Sequence, residues 1–282
     1  MTSRECVWIN GELRDVDDAR VSAFDHGLLV GDGVFETLRV YDGRPFAWTR
    51  HLVRLEHSAD GLGLTVPERA VVRAAAAEVL EANALREARL RITVTGGVQP
   101  LGSERRATTP TLIVAASEVR SVAETIAVVV VPWARNERGA TAGLKTVSYA
   151  ENVRALAHAQ ARGAGEAVFP NTRDELCEAT GSNVFVVDDG VVRTPPASSG
   201  CLLGVTRALV LELCAELGLP HEEATMPVEV LARADEVFLT STVREVQAVT
   251  HVDGRALAHA RGRVTRCLAE AFSALVARDL DP

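Results

Sequence analysis

The stretch of sequence that decides the fold is residues 142–152, which read Ala-Gly-Leu-Lys-Thr-Val-Ser-Tyr-Ala-Glu-Asn. A valine-rich run before it, residues 127–131, predicts a strand, and a helical pattern covers residues 150–162. We therefore expect Lys145, in the middle of the stretch, to be held near a strand-to-helix junction rather than on a freely solvated face.

A lone carboxylate, Glu178, stands just before a β-branched run, residues 184–187, that predicts a buried strand. A buried charge costs several kcal/mol unless it is paired, so the two groups indicate a ligand that engages both. Partly desolvated lysines form imines, because only the neutral amine attacks a carbonyl. Pyridoxal phosphate is a ligand that fits this pair. Lys145 would hold its aldehyde as an imine, and Glu178 would keep its pyridine nitrogen protonated. By spacing alone, a surface lysine and a turn glutamate are the commoner case.

The composition bounds the class of protein. The 282 residues carry a formal charge of -8, which argues against a nucleic-acid-binding surface. The N-terminus lacks the apolar core of a signal peptide, and no apolar run is long enough to span a bilayer. The five scattered cysteines indicate neither a disulfide framework nor a metal site. We expect a soluble, cytoplasmic protein that binds a small molecule and has no nucleic-acid or membrane partner.

The order of predicted elements indicates two domains of the α/β (α+β) class, because strands and helices alternate and hairpins occur in both halves. We place an N-terminal α/β domain at residues 1–118, an interdomain linker at 119–125 and a C-terminal domain at 126–282. Length and apolar content are sufficient for each domain to fold around its own core.

Further motifs flank the Lys145 and Glu178 stretches. A block rich in Gly and Asp, residues 25–36, feeds a predicted strand, and the pattern His51-x-x-Arg54 lies on a predicted helix. Residues 204–206 open another predicted helix, and a buried strand ends in three hydroxyl residues, 240–242. Taken in this order over about residues 10–255, the motifs resemble the class-IV pyridoxal-phosphate aminotransferase and aminodeoxychorismate lyase family.

The resemblance implies fold type IV, with a smaller N-terminal domain, a larger cofactor-binding C-terminal domain, pyridoxal 5'-phosphate between them and a homodimeric assembly. Lys145 would carry the cofactor and move protons at the substrate α-carbon. Tyr149, four residues on, would point the same way if both lie on one helix. The residues implied to bind the cofactor are Arg54, Lys145, Tyr149, Glu178, Ser182, Asn183, Gly204, Val205, Thr206, Ser241 and Thr242. Among these, the phosphate would be held by Arg54, by the 204–206 turn and by Thr242.

Two reactions fit these motifs. Thr37, where lyases of the family tend to carry threonine, could support proton delivery to a departing three-carbon unit. Thr37, the run after Lys145 and the absence of a Tyr-x-Arg-Pro element favour a 4-amino-4-deoxychorismate lyase that makes 4-aminobenzoate and pyruvate for folate biosynthesis. The alternative is a class-IV amino-acid aminotransferase of the branched-chain or D-amino-acid type. A degenerate, non-enzymatic homologue is a third reading, which the intact Lys145 and Glu178 pair disfavours.

Overall fold

The computed structural model describes residues 5–119 and 121–282, which form two compact units. The first unit contains the described residues up to 119 together with Leu144–Ser148 and Leu280–Pro282. The second contains Ser121–Gly143 and Tyr149–Asp279. Residues 1–4 of the predicted N-terminal domain and residue 120 of the predicted linker lie outside the described residues.

The first unit is an antiparallel sheet with two long helices packed on it. Its elements are β1 (Cys6–Ile9), β2 (Glu12–Asp15), α1 (His26–Leu29), β3 (Gly33–Tyr41), β4 (Arg44–Pro45), α2 (Trp48–Leu62), α3 (Arg69–Ala82), β5 (Ala88–Thr95) and β6 (Thr111–Glu118). The strands follow the order β2-β1-β6-β5-β3-β4. Buried residues of α2 and α3 form one core with alternate residues of β3 and β5.

Strand β3 positions the site because its two faces differ. Side chains alternate across a strand, so Val34, Glu36 and Leu38 share one face, and all three are buried. Phe35 and Thr37 occupy the other face. Helix α2 packs on the face of β3 that carries Val34 and Leu38. It ends at Gly63, whose φ of 68° allows the chain to leave the helix.

The second unit is built on a nine-stranded mixed sheet. Its elements are β7 (Thr125–Val130), α4 (Ala150–Gln160), β8 (Glu166–Pro170), β9 (Leu176–Ala179), β10 (Asn183–Asp188), β11 (Val191–Thr194), α5 (Val205–Glu216), β12 (His221–Glu223), β13 (Glu236–Ser241), β14 (Glu245–Val252), β15 (Arg255–Ala256) and α6 (Arg263–Arg278). The strands follow the order β12-β11-β10-β13-β14-β7-β8-β9, and β15 pairs with β14. Between the central strands, Phe185 of β10 stacks on Phe238 of β13 with ring centroids 4.8 Å apart.

The mixed α/β class predicted from the sequence is confirmed, and the block at residues 25–36 leads into strand β3 as predicted. Within that block the short helix α1 forms, because the Asp25 side chain accepts a hydrogen bond from the Gly27 N–H at 2.8 Å and caps it. Helix α4 begins only at Ala150, with Tyr149 as its N-cap, so Lys145 and Tyr149 do not share a helix face. Within residues 5–119 and 121–282, every helix is too short or too polar to cross a membrane.

Candidate active site

The segment that carries Lys145 lies against the beginning of β3. The Phe35 N–H donates to the Lys145 carbonyl at 3.0 Å, and the Val147 N–H donates to the Gly33 carbonyl at 2.9 Å. Glycine is required at position 33, because a Cβ there would lie 2.9 Å from the Val94 carbonyl oxygen. These hydrogen bonds tie residues 145–147 to the beginning of β3, and helix α4 begins only at Ala150.

The amine of Lys145 faces an aromatic ring that it shares with an arginine. Its Nζ lies 4.4 Å from the centroid of the Phe35 ring, and the guanidinium carbon of Arg91 lies 3.7 Å from the same centroid. Thr37 stands directly opposite Arg91 in the β3–β5 register and is on the Phe35 face of β3. The buried Ser58 of α2 accepts a hydrogen bond from the Lys145 N–H at 3.1 Å. This face of the sheet therefore presents an amine, a guanidinium and a hydroxyl group.

Lys145 is also the only lysine in the sequence. The other basic side chains among the 30 lysine and arginine residues are all arginine. Apart from the α-amino group, no other primary amine in this chain can form an imine. A count of lysines alone would have singled out this residue.

The other face of β3 carries a buried polar cluster of Glu36, His51 and Arg54. Arg54 donates to Glu36 from Nε and from Nη2, both at 2.7 Å, and the His51 Nδ1 lies 2.7 Å from the same carboxylate. Burial alone would raise the pKa of Glu36, but Arg54 and His51 outweigh it and hold that pKa far below its usual range. Burial lowers the pKa of His51 against the opposing charge of Glu36, and Arg54 and Lys145 lower it further.

In the second unit, Glu178 lies within β9 and is held by the loop before α5. It accepts a hydrogen bond from the Leu202 N–H at 2.9 Å, and the Arg135 Nε lies 3.3 Å from its other oxygen. Arg135 is itself positioned, since its guanidinium lies 4.3 Å from the centroid of the Phe169 ring and donates to Asn152 at 3.1 Å. Glu178 is thus a carboxylate with a fixed position and a cationic neighbour.

The beginning of α5 has the properties of an anion site. Gly204 is the N-cap and makes no side-chain cap, so the first-turn N–H groups beyond it depend on other acceptors. Glycine is needed because a Cβ at this position would collide with the Asn183 side chain, which donates to the Leu202 carbonyl at 2.7 Å. Val205 and Thr206, which follow, are both buried.

The hydroxyl residues predicted to bind the cofactor are all in the second unit. Ser182 is buried, and within the described part of the chain its Oγ has no hydrogen-bond partner. Ser241 ends β13 and accepts a hydrogen bond from the Arg244 N–H at 3.3 Å, while Thr242 follows in the turn. The Oγ1 of Thr240 is likewise buried and without a partner among the described residues.

The structure thus groups the predicted residues by unit. The first unit holds Thr37, Arg54 and Lys145; the second holds Tyr149, Glu178, Ser182, Asn183, Gly204, Val205, Thr206, Ser241 and Thr242. Sequence reasoning assigned no individual task to the supporting residues Phe35, Glu36, Ser58, Arg91 and Arg135. One of these had a signal, because Glu36 is a charged residue in the apolar row of β3.

Arg105, in the loop between β5 and β6, makes contacts within the first unit. Arg105 of the loop 96–110 forms an ion pair with Asp32 and donates to the Leu62 carbonyl at 2.5 Å. These contacts tie the loop to the chain just before β3. Arg105 therefore has a structural task in this unit.

Comparison with known proteins identifies the family. Residues 33–252 match the model of amino-transferase class IV, and the chain belongs to that family. It is 35% identical over 272 residues to a putative branched-chain-amino-acid aminotransferase of Methanocaldococcus jannaschii, covering 94% of each chain. It is 34% identical to a D-alanine aminotransferase of Staphylococcus haemolyticus, covering 95% of this chain and 96% of that one. A branched-chain amino acid aminotransferase of T.th., solved with N-(5'-phosphopyridoxyl)-L-glutamate, matches with a TM-score of 0.90 and 28% identity over 98% of this chain and 95% of that one.

These matches confirm the resemblance, fold type IV, the enzymatic nature of the chain and pyridoxal phosphate as its cofactor. The lyase prediction is wrong, because the relatives that match nearly the whole chain are branched-chain and D-alanine aminotransferases. One fold with one cofactor supports both reactions, so the residues around Lys145 and the single hydroxyl of Thr37 could not separate them.

The residues present fit this cofactor. Lys145 could provide the amine for an aldehyde, and Glu178 could provide a fixed carboxylate for a basic ring nitrogen. The turn at Gly204 could provide backbone N–H groups for a phosphate, and a Cβ there would collide with the Asn183 side chain. Ser182 adds a buried hydroxyl whose hydrogen bond no described residue completes.

Proposed function

We propose that the chain is an amino-acid aminotransferase that moves an amino group from an amino acid to a 2-oxo acid, with branched-chain amino acids as the preferred donors. The observation that carries the proposal is the 35% identity to a putative branched-chain aminotransferase over 94% of both chains. The single lysine, placed on the Phe35 face of β3, supports it.

The residues have separate tasks in this proposal. When bound, pyridoxal phosphate supplies an electron sink for the α-carbon of the amino acid. Lys145 holds the cofactor through its amine and, after substrate has replaced it, carries a proton at the α-carbon. Glu178 keeps the ring nitrogen protonated. Arg54, the N–H groups of residues 204–206 and the hydroxyl groups of residues 241–242 bind the phosphate.

The remaining cofactor contacts are proposed for Tyr149, Ser182 and Asn183. Ser182 has a buried hydroxyl that can donate to the cofactor, and Asn183 fixes the loop that ends at Gly204. Tyr149 caps α4 close in sequence to Lys145. The homodimer and the cytoplasmic location expected from the sequence stay predictions.

Arg91 is the group that we propose to bind the substrate carboxylate. Its guanidinium lies over the same ring as the Lys145 amine, and guanidinium groups bind carboxylates through paired, charge-assisted hydrogen bonds. Thr37, opposite Arg91, would then line the space for the substrate side chain. The proton-delivery task predicted for Thr37 belonged to the lyase reaction, so it is not part of the present proposal.

A second candidate is a D-amino-acid aminotransferase. It is supported by the 34% identity to a D-alanine aminotransferase over 95% of this chain.

The test supplies purified protein with pyridoxal phosphate, 2-oxoglutarate and either L-valine, L-leucine or D-alanine, and measures glutamate formation. A higher kcat/KM with the L-donors supports the proposal, and activity with D-alanine alone supports the second candidate. Failure of every donor would overturn both.

The proposed contact between Arg91 and the substrate carboxylate is tested by replacing Arg91. Arg91→Met should raise the KM for the amino donor by at least about tenfold, the loss expected for a charge-assisted pair. Arg73→Met is the matched control, because Arg73 also lies over an aromatic ring, 4.9 Å from the centroid of Trp48, but on α3. An equal effect of both variants would remove the assignment of Arg91.

A further inference from the structure

Glu36 is a charged residue where the pattern of β3 calls for an apolar one. It stands between Val34 and Leu38 on the face covered by α2, and its residue exposure is 0%. Burying a carboxylate is unfavourable unless charged partners compensate. The position therefore needs an explanation beyond packing.

The partners of Glu36 come from one turn of α2. His51 and Arg54 are three residues apart and so share a helix face. Both oxygens of the carboxylate accept from Arg54, and one also accepts from His51, each at 2.7 Å. Because a carboxylate can only accept, the His51 Nδ1 must carry the proton. The three side chains form a closed, directional network.

This network fixes the orientation of Arg54. A guanidinium is planar and presents its donors in a rigid fork, so fixing one edge fixes the whole group. Glu36 takes the edge formed by Nε and Nη2. Arg54 can then approach a ligand only with its other edge, whose direction is set by Glu36.

We propose that Glu36 is a positioning residue for cofactor binding: by holding one edge of Arg54, it aims the other edge at the phosphate of pyridoxal phosphate. The inference rests on the proposed task of Arg54 in phosphate binding. His51 is a second support, since it holds the same carboxylate from the same turn of α2.

Two explanations of Glu36, by its charge or by its effect on the orientation of Arg54, predict opposite changes in phosphate binding when Glu36 is replaced. Glu36→Gln removes a negative charge next to Arg54, and by charge alone the variant should bind a phosphate more tightly. If Glu36 acts by orientation, the variant should bind it more weakly, because the guanidinium is no longer held through two charge-assisted bonds. The sign of the change therefore separates the two explanations.

In the experiment, cofactor is removed from the purified protein, which is then titrated with pyridoxal phosphate and, separately, with pyridoxal, which lacks the phosphate. Binding is followed by the absorbance of the imine. We expect Glu36→Gln to raise the Kd for pyridoxal phosphate about tenfold or more, as expected for loss of an oriented charge-assisted contact. The Kd for pyridoxal should stay the same.

Glu236→Gln is the matched control. Glu236 is also a buried carboxylate, but its side chain accepts from Thr265 at 2.6 Å and from the first N–H groups of α6, with no arginine of the site involved. It should change neither Kd. Tighter binding of pyridoxal phosphate by Glu36→Gln, or equal weakening for both ligands, would overturn the inference.

A second variant covers the case in which Glu36→Gln does not fold. Glu36→Asp keeps the charge but shortens the reach to Arg54, so it too should weaken binding of pyridoxal phosphate and not of pyridoxal. Unchanged binding of both ligands by Glu36→Asp would overturn the inference. Wild-type protein that forms no imine with either ligand would instead reject the proposed function.

Discussion

Glu36 and Glu178, one carboxylate from each unit, are held in different ways. Glu36, in the first unit, has a side-chain exposure of 0% and is bound by Arg54 and His51. Glu178, in the second unit, keeps 14% of its side chain exposed, accepts one backbone N–H and lies 3.3 Å from Arg135. An enclosed carboxylate can only orient its protein partners, whereas one with open surface can also meet a ligand. This difference supports the proposal in which Glu36 serves cofactor binding and Glu178 serves the chemistry.

The largest effect should come from replacing Lys145, on which both cofactor binding and proton transfer depend in this proposal. Lys145→Ala should lower kcat by about 10⁴-fold or more, because it removes both the amine that holds the cofactor and the proton carrier. Lys145→Arg keeps the positive charge but cannot form the imine, and it should be equally inactive. The measurement is steady-state glutamate formation, and activity within about tenfold of wild type in either variant would contradict the account.

Glu178→Gln should lower kcat by about 10²-fold or more, since the ring nitrogen loses the charge that keeps it protonated. The Kd for pyridoxal phosphate should change little. Glu36→Gln should show the reverse, with weaker cofactor binding and a nearly normal kcat when cofactor is saturating. If both variants lose kcat, or both lose affinity for pyridoxal phosphate, the assignment of different tasks to the two carboxylates is wrong.

The free energy of unfolding should also show that Glu36 forms a buried ion pair. Breaking a buried ion pair by removing one partner costs about 3–5 kcal/mol, so Glu36→Gln should unfold at lower urea concentration at neutral pH. The folded-state pKa of Glu36 is depressed, so its contribution is complete above its usual pKa of 4.5 and is lost as the pH falls below that value. The difference in unfolding free energy between wild type and variant, measured without cofactor, should shrink at acidic pH. A difference independent of pH would contradict the ion-pair explanation.

The smallest effect is expected for an exposed pair of similar geometry. Arg69 donates to Glu56 from Nε and Nη2, as Arg54 does to Glu36, but both side chains are more than 40% exposed. Exposed pairs contribute about 1 kcal/mol or less, so Glu56→Gln should shift the unfolding free energy by no more than that. A loss as large as that of Glu36→Gln would show that burial is not the deciding factor.

Local sequence patterns were sufficient to predict which strands and helices lie beside several of the predicted site residues. Lys145, Glu178 and the turn at Gly204 each lie next to a strand or helix whose periodicity is visible in the sequence. The pairing of the Lys145 segment with β3 was not visible, because it joins residues more than 100 positions apart and no local pattern records it. A long separation in the chain likewise hid the contact between Arg91 and Phe35.

The choice of reaction was also beyond the local motifs. Thr37 was interpreted through its hydroxyl group, while its neighbourhood in the sheet is a guanidinium and an aromatic ring. A single side chain does not decide between two reactions that share a fold and a cofactor. Similarity over the whole chain made that decision.

The most direct test of the central claim is to reduce the wild-type protein, loaded with pyridoxal phosphate, with borohydride and to locate the resulting adduct by peptide mass spectrometry. Because the chain contains one lysine, the result has few interpretations. The account predicts a single phosphopyridoxyl group on Lys145. An adduct on the α-amino group alone, or none at all, would contradict it.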